Sequence, residues 1–193
     1  MIDDGADKPG HSLRTLVAQA LRAYKTPELL QFLRSKDVVV RSAAARELQI
    51  RGGKAVLHQT VLLLADEMPQ SREVASFILG QLGTPKRPFR IPSIAALLAQ
   101  VAKETDTDVL EAALVSLGHL RATDVIAELH RFSKHKAPNV RAAFAYYLGL
   151  SNAQNPKVSN EVTTLLETLR RDRHRTVRSA AKFSQDVMKG TPL

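Results

Sequence analysis

The sequence contains no cysteine and no tryptophan. Without thiols there is no disulfide framework, no thiolate metal ligation and no cysteine nucleophile, a composition that fits a reducing compartment. Aromatic residues make up only 5% of the chain, so base stacking is thinly supplied. Long apolar runs are missing too: the longest uncharged one is Val61 to Ala65, far below the roughly 20 residues of a membrane span. The opening residues, "MIDDGADKPGH", carry Asp3, Asp4 and Asp7 and no apolar centre, which excludes a signal or transit peptide. The expectation is a soluble, cytoplasmic protein without membrane insertion, with residues 1–10 disordered and 11–193 forming one domain.

What the chain has in excess is positive charge. Twenty-eight Lys and Arg against 19 Asp and Glu give a net charge of +9, spread over both halves with no basic tail. Such a balance favours an acidic partner without choosing between nucleic acid, phospholipid and acidic protein.

The chain also repeats itself. "VRSAA" occurs at 40–44 and again at 177–181, and the segments starting at 40, 71, 109, 140 and 177 align in columns, with steps of 31, 38, 31 and 37 residues. Counting the first residue as zero, position four is Ala44, Ala75, Ala113, Phe144 and Ala181. Position eight is Leu48, Leu79, Leu117, Leu148 and Gln185, and position nine is Gly80, Gly118 and Gly149 in the middle three. A spacing of four puts these residues on one helical face. Upstream, positions minus eleven and minus eight are mostly apolar as well, from Leu29 and Phe32 to Leu166 and Leu169. Each unit therefore reads as helix A, a polar turn and helix B, repeated over about 27–52, 54–83, 91–121, 122–151 and 158–189. Residues 11–25 form one more amphipathic helix, an N-terminal cap. The predicted fold is all-α: a right-handed α-solenoid of about five helical hairpins.

At this point a family resemblance can be stated. Helical hairpins whose second helix begins Asp37-Val38-Val39-Val40-Arg41, and ends as Leu117-Gly118 or Leu148-Gly149 do, resemble HEAT repeats. The resemblance covers about 27–189 and implies a surface rather than a particular activity. "IRGG" at 50–53 and "SREVASFILGQLG" at 71–83 are more loosely similar to small bacterial HEAT-like proteins encoded beside toxin genes, which implies an immunity role. HEAT-like alkylpurine glycosylases rely on groove tryptophans, which are absent here. Deoxyhypusine hydroxylase binds iron through His-Glu pairs, and this chain has no His-Glu dipeptide. Bilin lyases are similar only at the level of the repeat.

Position one is Arg41, Arg72, Leu110, Arg141 and Arg178. Either each guanidinium bridges neighbouring repeats, where its rigid fork suits a carboxylate or helix carbonyl, or the arginines form a phosphate-binding ladder, which Leu110 would interrupt. Position six is Arg46, Phe77, Val115, Tyr146 and Phe183, and B helices line the concave side of such solenoids. These five residues are either partner-binding anchors or core residues of a rotated helix. A basic patch, Arg131, Lys134, Lys136, Arg170, Arg171, Arg173, Arg175 and Arg178, is either a solvated face or a dock for phosphates or an acidic protein. Lys86, Arg87 and Arg90 in "KRPFR" add charge on the opposite edge, while Asp106 and Asp108 read as turn and N-cap residues rather than calcium ligands.

The six histidines lack metal-site spacing, "GQLGTPKR" is not a phosphate loop, and no nucleophile has recognisable partners. No enzyme, cofactor or metal is expected. The predicted function is a non-catalytic scaffold that captures a protein, such as a toxin domain or an acidic surface, on its concave face. The alternative is a nucleic-acid-binding protein using the C-terminal basic patch.

Overall fold

The computed structural model describes residues 9–152 and 160–190. Among these, eleven α-helices pack in sequence order as a HEAT-like solenoid, with no strand. The expected disordered stretch 1–10 lies outside the described residues except for its last two. The capping helix α1 runs Pro9–Leu21 and rests on α3, starting earlier and stopping sooner than the 11–25 expected.

Four hairpins appear as α2 (Thr26–Phe32) with α3 (Val38–Arg51), α4 (Lys54–Leu63) with α5 (Pro69–Gln81), α6 (Arg90–Lys103) with α7 (Thr107–His119), and α10 (Asn160–Leu169) with α11 (Arg175–Met188). The remaining hairpin pairs α8 (Ile126–Leu129) with α9 (Pro138–Ser151). Its first arm is not the continuous helix expected. α8 is a single turn flanked by 3-10 segments at Thr123–Val125 and His130–Lys134. Three β-branched residues in four, Thr123, Val125 and Ile126, weaken helix propensity here. Tertiary bonds also pin both ends, with Tyr147 Oη donating to Ala122 O at 2.6 Å and Arg131 Nη2 donating to Val101 O at 2.7 Å.

Local signals set the other boundaries. Asp37 accepts from the amides of Val39 and Val40 to start α3, and Asp106 accepts from Asp108 and Val109 to start α7, as expected for the latter. Gly52 and Gly53, at φ 63° and 98°, take the left-handed conformations that turn α3 into α4 within two residues.

The repeat columns are the core. Ala44, Ala75, Ala113, Phe144 and Ala181 are fully buried, and so are Leu48, Leu79, Leu117 and Leu148. The B helices α3, α5, α7, α9 and α11 stack directly on one another, whereas the A helices scarcely meet, so the B row forms the inner face. Close stacking depends on position nine. A Cβ on Gly80 would come within 2.6 Å of the Ser116 side chain, and one on Gly149 within 2.5 Å of that of Ser184. The terminal B helices carry Gln49 and Asp186 at this column.

All four repeated arginines close their own turns, and two of them, Arg72 and Arg141, also bridge to the next repeat. Nη1 of Arg41, Arg72, Arg141 and Arg178 donates in each case to the two carbonyls five and six residues upstream, closing the A-to-B turn of its own hairpin. Arg72 and Arg141 then use Nε and Nη2 to grip a carboxylate of the next repeat: Glu104 at 2.8 and 2.9 Å, and Asp172 at 2.7 and 2.9 Å. Burial would raise the Glu104 carboxyl, but the Arg72 fork and the amides of Asp106 and Thr105 hold it down to about 2. The bonds from Arg141 lower Asp172 against the opposing effect of its burial.

Leu110 interrupts this ladder together with its partner, because the acid column, Asp66, Glu104 and Asp172, holds His135 at the same joint. There Phe144 and Tyr147 stack at 5.8 Å between centroids, and Asn139 Nδ2 donates to Thr107 O at 3.3 Å. An ionic clamp is replaced by buried rings. At the first joint Arg34 takes Asp66 at 2.9 Å and the Nε of Arg41 is buried without a partner.

Candidate functional site

Three residues of position six come together. Arg46 on α3, Phe77 on α5 and Val115 on α7 line one cavity of about 470 Å³ on the inner face, with Ser42, Glu73, Val74, Gln81, Ala112 and His119 among its walls. Its residues come largely from positions two, six and ten of the repeat, the columns directed away from the core. Phe77 is 37% exposed, the one phenylalanine lining the cavity, and Arg46 is exposed beside it. Val74, Ala112 and Val115 supply the rest of the apolar lining.

Two titratable groups face this opening. Burial raises the Glu73 carboxyl, and the neighbouring charges of Asp108, Asp106 and Glu111 raise it further against the pull of Arg41. Burial lowers the His119 imidazole, and the Arg87 guanidinium lowers it further. The groove therefore offers one exposed cation, one partly desolvated acid and a neutral-leaning imidazole around an apolar floor. Position six alone does not reveal Gln81 or His119; position ten carries that signal, through a polar residue where Leu150 and Val187 stand in later repeats.

The other two position-six residues lie elsewhere. Tyr146 and Phe183 meet edge to face at 5.4 Å, and Tyr146, like Val115, packs against the core. Ala142 at position two of α9 is buried, whereas Ser42, Glu111 and Ser179 in that column are exposed, so the inner face is filled locally at α9. The anchors expected as one row thus form an open groove at Arg46, Phe77 and Val115 and a closed ring pair at Tyr146 and Phe183.

The cations of the basic patch also separate. Arg131 spans to Val101 O and lies 4.8 Å over the Phe132 ring, and Arg178 closes its own turn. Lys134, Lys136, Arg170, Arg171, Arg173 and Arg175 are exposed, and their side chains make no bond to other described residues. Asp172, within this run, is occupied by Arg141. In "KRPFR", Arg87 donates to His119 O, and Arg90 donates to Leu120 O at 2.6 Å and Arg121 O at 2.7 Å. These two arginines cap the C-terminus of α7 and are not a free basic edge.

Among the described residues no cluster of His, Asp or Glu is placed to hold a metal, and no helix is long and apolar enough to cross a membrane. Comparison with solved structures shows where the architecture recurs. The Escherichia coli protein YibA is similar over 97% of this chain, with a TM-score of 0.74 at 20% identity, and the chain spans 66% of YibA's length, just under two thirds. An engineered protein is similar over 97% of this chain and 93% of its own, with a TM-score of 0.58 at 17% identity. No curated protein matches the sequence. The sequence model of HEAT repeats matches residues 94–184, from within α6 to within α11, the stretch that holds both glycine-to-serine contacts and both carboxylate clamps in whole or in part. Sequence columns and architecture converge on one conclusion: the chain is a HEAT-like solenoid, and its residues 94–184 match the model of HEAT repeats.

Proposed function

We propose that the chain is a non-catalytic scaffold that binds a protein segment in the groove between α3, α5 and α7. The supporting observation is the cavity of about 470 Å³ in which a half-open phenylalanine meets an exposed arginine. Burying Phe77 against an apolar partner side chain contributes on the order of 1–2 kcal/mol, and aromatic and arginine anchors are what protein interfaces concentrate. The charges specify more. Arg46 suits a carboxylate on the segment, and Glu73 suits a donor beside the apolar anchor. A toxin domain presenting such a segment is one member of the class, and it would meet the basic net charge favourably.

Peptides selected from a displayed library on the full chain are expected to share an apolar anchor next to an acidic residue. Phe77→Ala should weaken the best of them at least tenfold and Arg46→Glu should reverse the acidic preference, with helical circular dichroism unchanged. Undiminished binding by Phe77→Ala would place the interaction elsewhere.

A further inference from the structure

We propose that the edge formed by the α8-to-α9 and α10-to-α11 turns binds the phosphate backbone of double-stranded nucleic acid. The two turns are held side by side by the Arg141 clamp on Asp172. They carry Lys134, Lys136, Arg170, Arg171, Arg173 and Arg175, all exposed and none held by a side-chain hydrogen bond or salt bridge to another described residue. The one carboxylate within the turns, Asp172, is clamped by Arg141 and lies within electrostatic reach of Arg173, so six cations stand against a single carboxylate that is already engaged.

The helix ends beneath it point the same way. α3 and α7 begin with Asp37 and Asp106 on their free amides, but α9 and α11 begin with Ala137 and His174, neither of which caps with its side chain. Two N-termini with uncapped amides thus add their positive dipole ends to the six cations. Neighbouring helices pack about 8–10 Å apart, so the charges form two short rows rather than a point, as a polymer of phosphates requires.

The surface around the edge decides between polyanions and proteins. Every large apolar side chain that is exposed among the described residues lies between Leu16 and Ile91, none of them on these turns. A protein interface would need an apolar centre that this edge does not have. Among the described residues it also has no phenylalanine or tyrosine ring open for a base to stack on; its own rings are the imidazoles of His135 and His174. Phe132 is buried, and Tyr146 and Phe183 face each other. Recognition is therefore of backbone charge, which a duplex presents most densely.

The experiment uses the full chain and a fluorescent 20-base-pair DNA duplex. Contact with about four to six phosphates predicts a slope of roughly −4 to −5 in log affinity against log salt, and so a loss of about 10²- to 10³-fold between 50 and 200 mM. Substituting Arg170, Arg171, Arg173 and Arg175 with Gln should flatten that slope by about 3 to 4 and weaken binding more than tenfold at low salt. Substituting Arg22, Lys36, Lys54 and Lys103 with Gln lowers the net charge by the same amount and should change it little. Equal losses in both variants, tighter binding of a single strand of equal length, polyglutamate competing as well as the duplex, or no duplex binding at 50 mM salt would each overturn the proposal. The groove variant Phe77→Ala should bind duplex normally, so failure of one site is distinguishable from failure of the other.

Discussion

Replacing Glu104 with Gln removes one charge from a joint between repeats, and its cost is expected to depend on pH in a defined way. The side chain is 3% exposed and carries both Nε and Nη2 of Arg72. Its carboxyl falls from an ordinary 4.5 to about 2 in the folded chain. A depressed acid stabilises the fold above its unfolded value and loses that contribution as pH falls through the folded one, so the contribution is whole above about pH 5 and gone near pH 2. The shift corresponds to about 3 kcal/mol. Urea unfolding at pH 7 should therefore find Glu104→Gln less stable by about 3 kcal/mol, with the gap closing between pH 4.5 and 2. Asp66 and Asp172 titrate in both chains and cancel in the difference. The Leu110 joint suggests the compensating change: with Arg72→Leu and Glu104→His together, the loss should be smaller than the sum of the single losses, because no buried charge is stranded. A gap below about 0.5 kcal/mol at pH 7, or one that is constant with pH, would refute the clamp as a source of stability.

Three further outcomes follow from the packing. Gly149→Ala forces a methyl group into Ser184 and should cost about 1–3 kcal/mol by chemical denaturation, whereas Gly53→Ala meets no neighbour and is strained only by its positive φ. Tyr147→Phe deletes the 2.6 Å bond to Ala122 O and should cost about 1–2 kcal/mol, measurable by thermal unfolding. His174→Asp supplies α11 with the cap that α3 and α7 have; it should raise stability by about 1 kcal/mol and lower affinity for a duplex, two effects of opposite sign read in one protein.

The fold was legible because its determinants recur. Leucine at position eight and alanine at position four specify where one helix must approach another, and periodicity exposes them wherever they fall. The glycine column showed which position mattered but not why, since the serine it accommodates lies about 35 residues away on the next helix. The continuous fourth A helix was misread because Arg131 and Tyr147, which pin its ends, act from outside the local pattern. The groove was half legible. Position six is apolar in four of the five repeats, but Phe77 is left open while Tyr146 and Phe183 close on each other, a property of three dimensions. Charge was the least legible. Arg87 and Arg90 look like Arg170 and Arg171 in sequence, yet the first two are spent on the end of α7 and the last two are free.

The alternation of joints sets a rule for the length of the array. Carboxylate clamps and glycine-to-serine contacts fall together at the second-to-third and fourth-to-fifth joints, and Arg72 and Arg141, like Gly80 and Gly149, stand 69 residues apart. The alternation therefore repeats over a pair of hairpins rather than a single one, each pair closed internally by its own salt bridge. Across the boundary between these pairs the described residues make hydrogen bonds, from Asn139 to Thr107 O and from Arg131 to Val101 O, and no salt bridge. Splicing a further pair into the array, or excising one, should be tolerated at that boundary and not within a pair, a grammar that a designer lengthening the solenoid would have to obey.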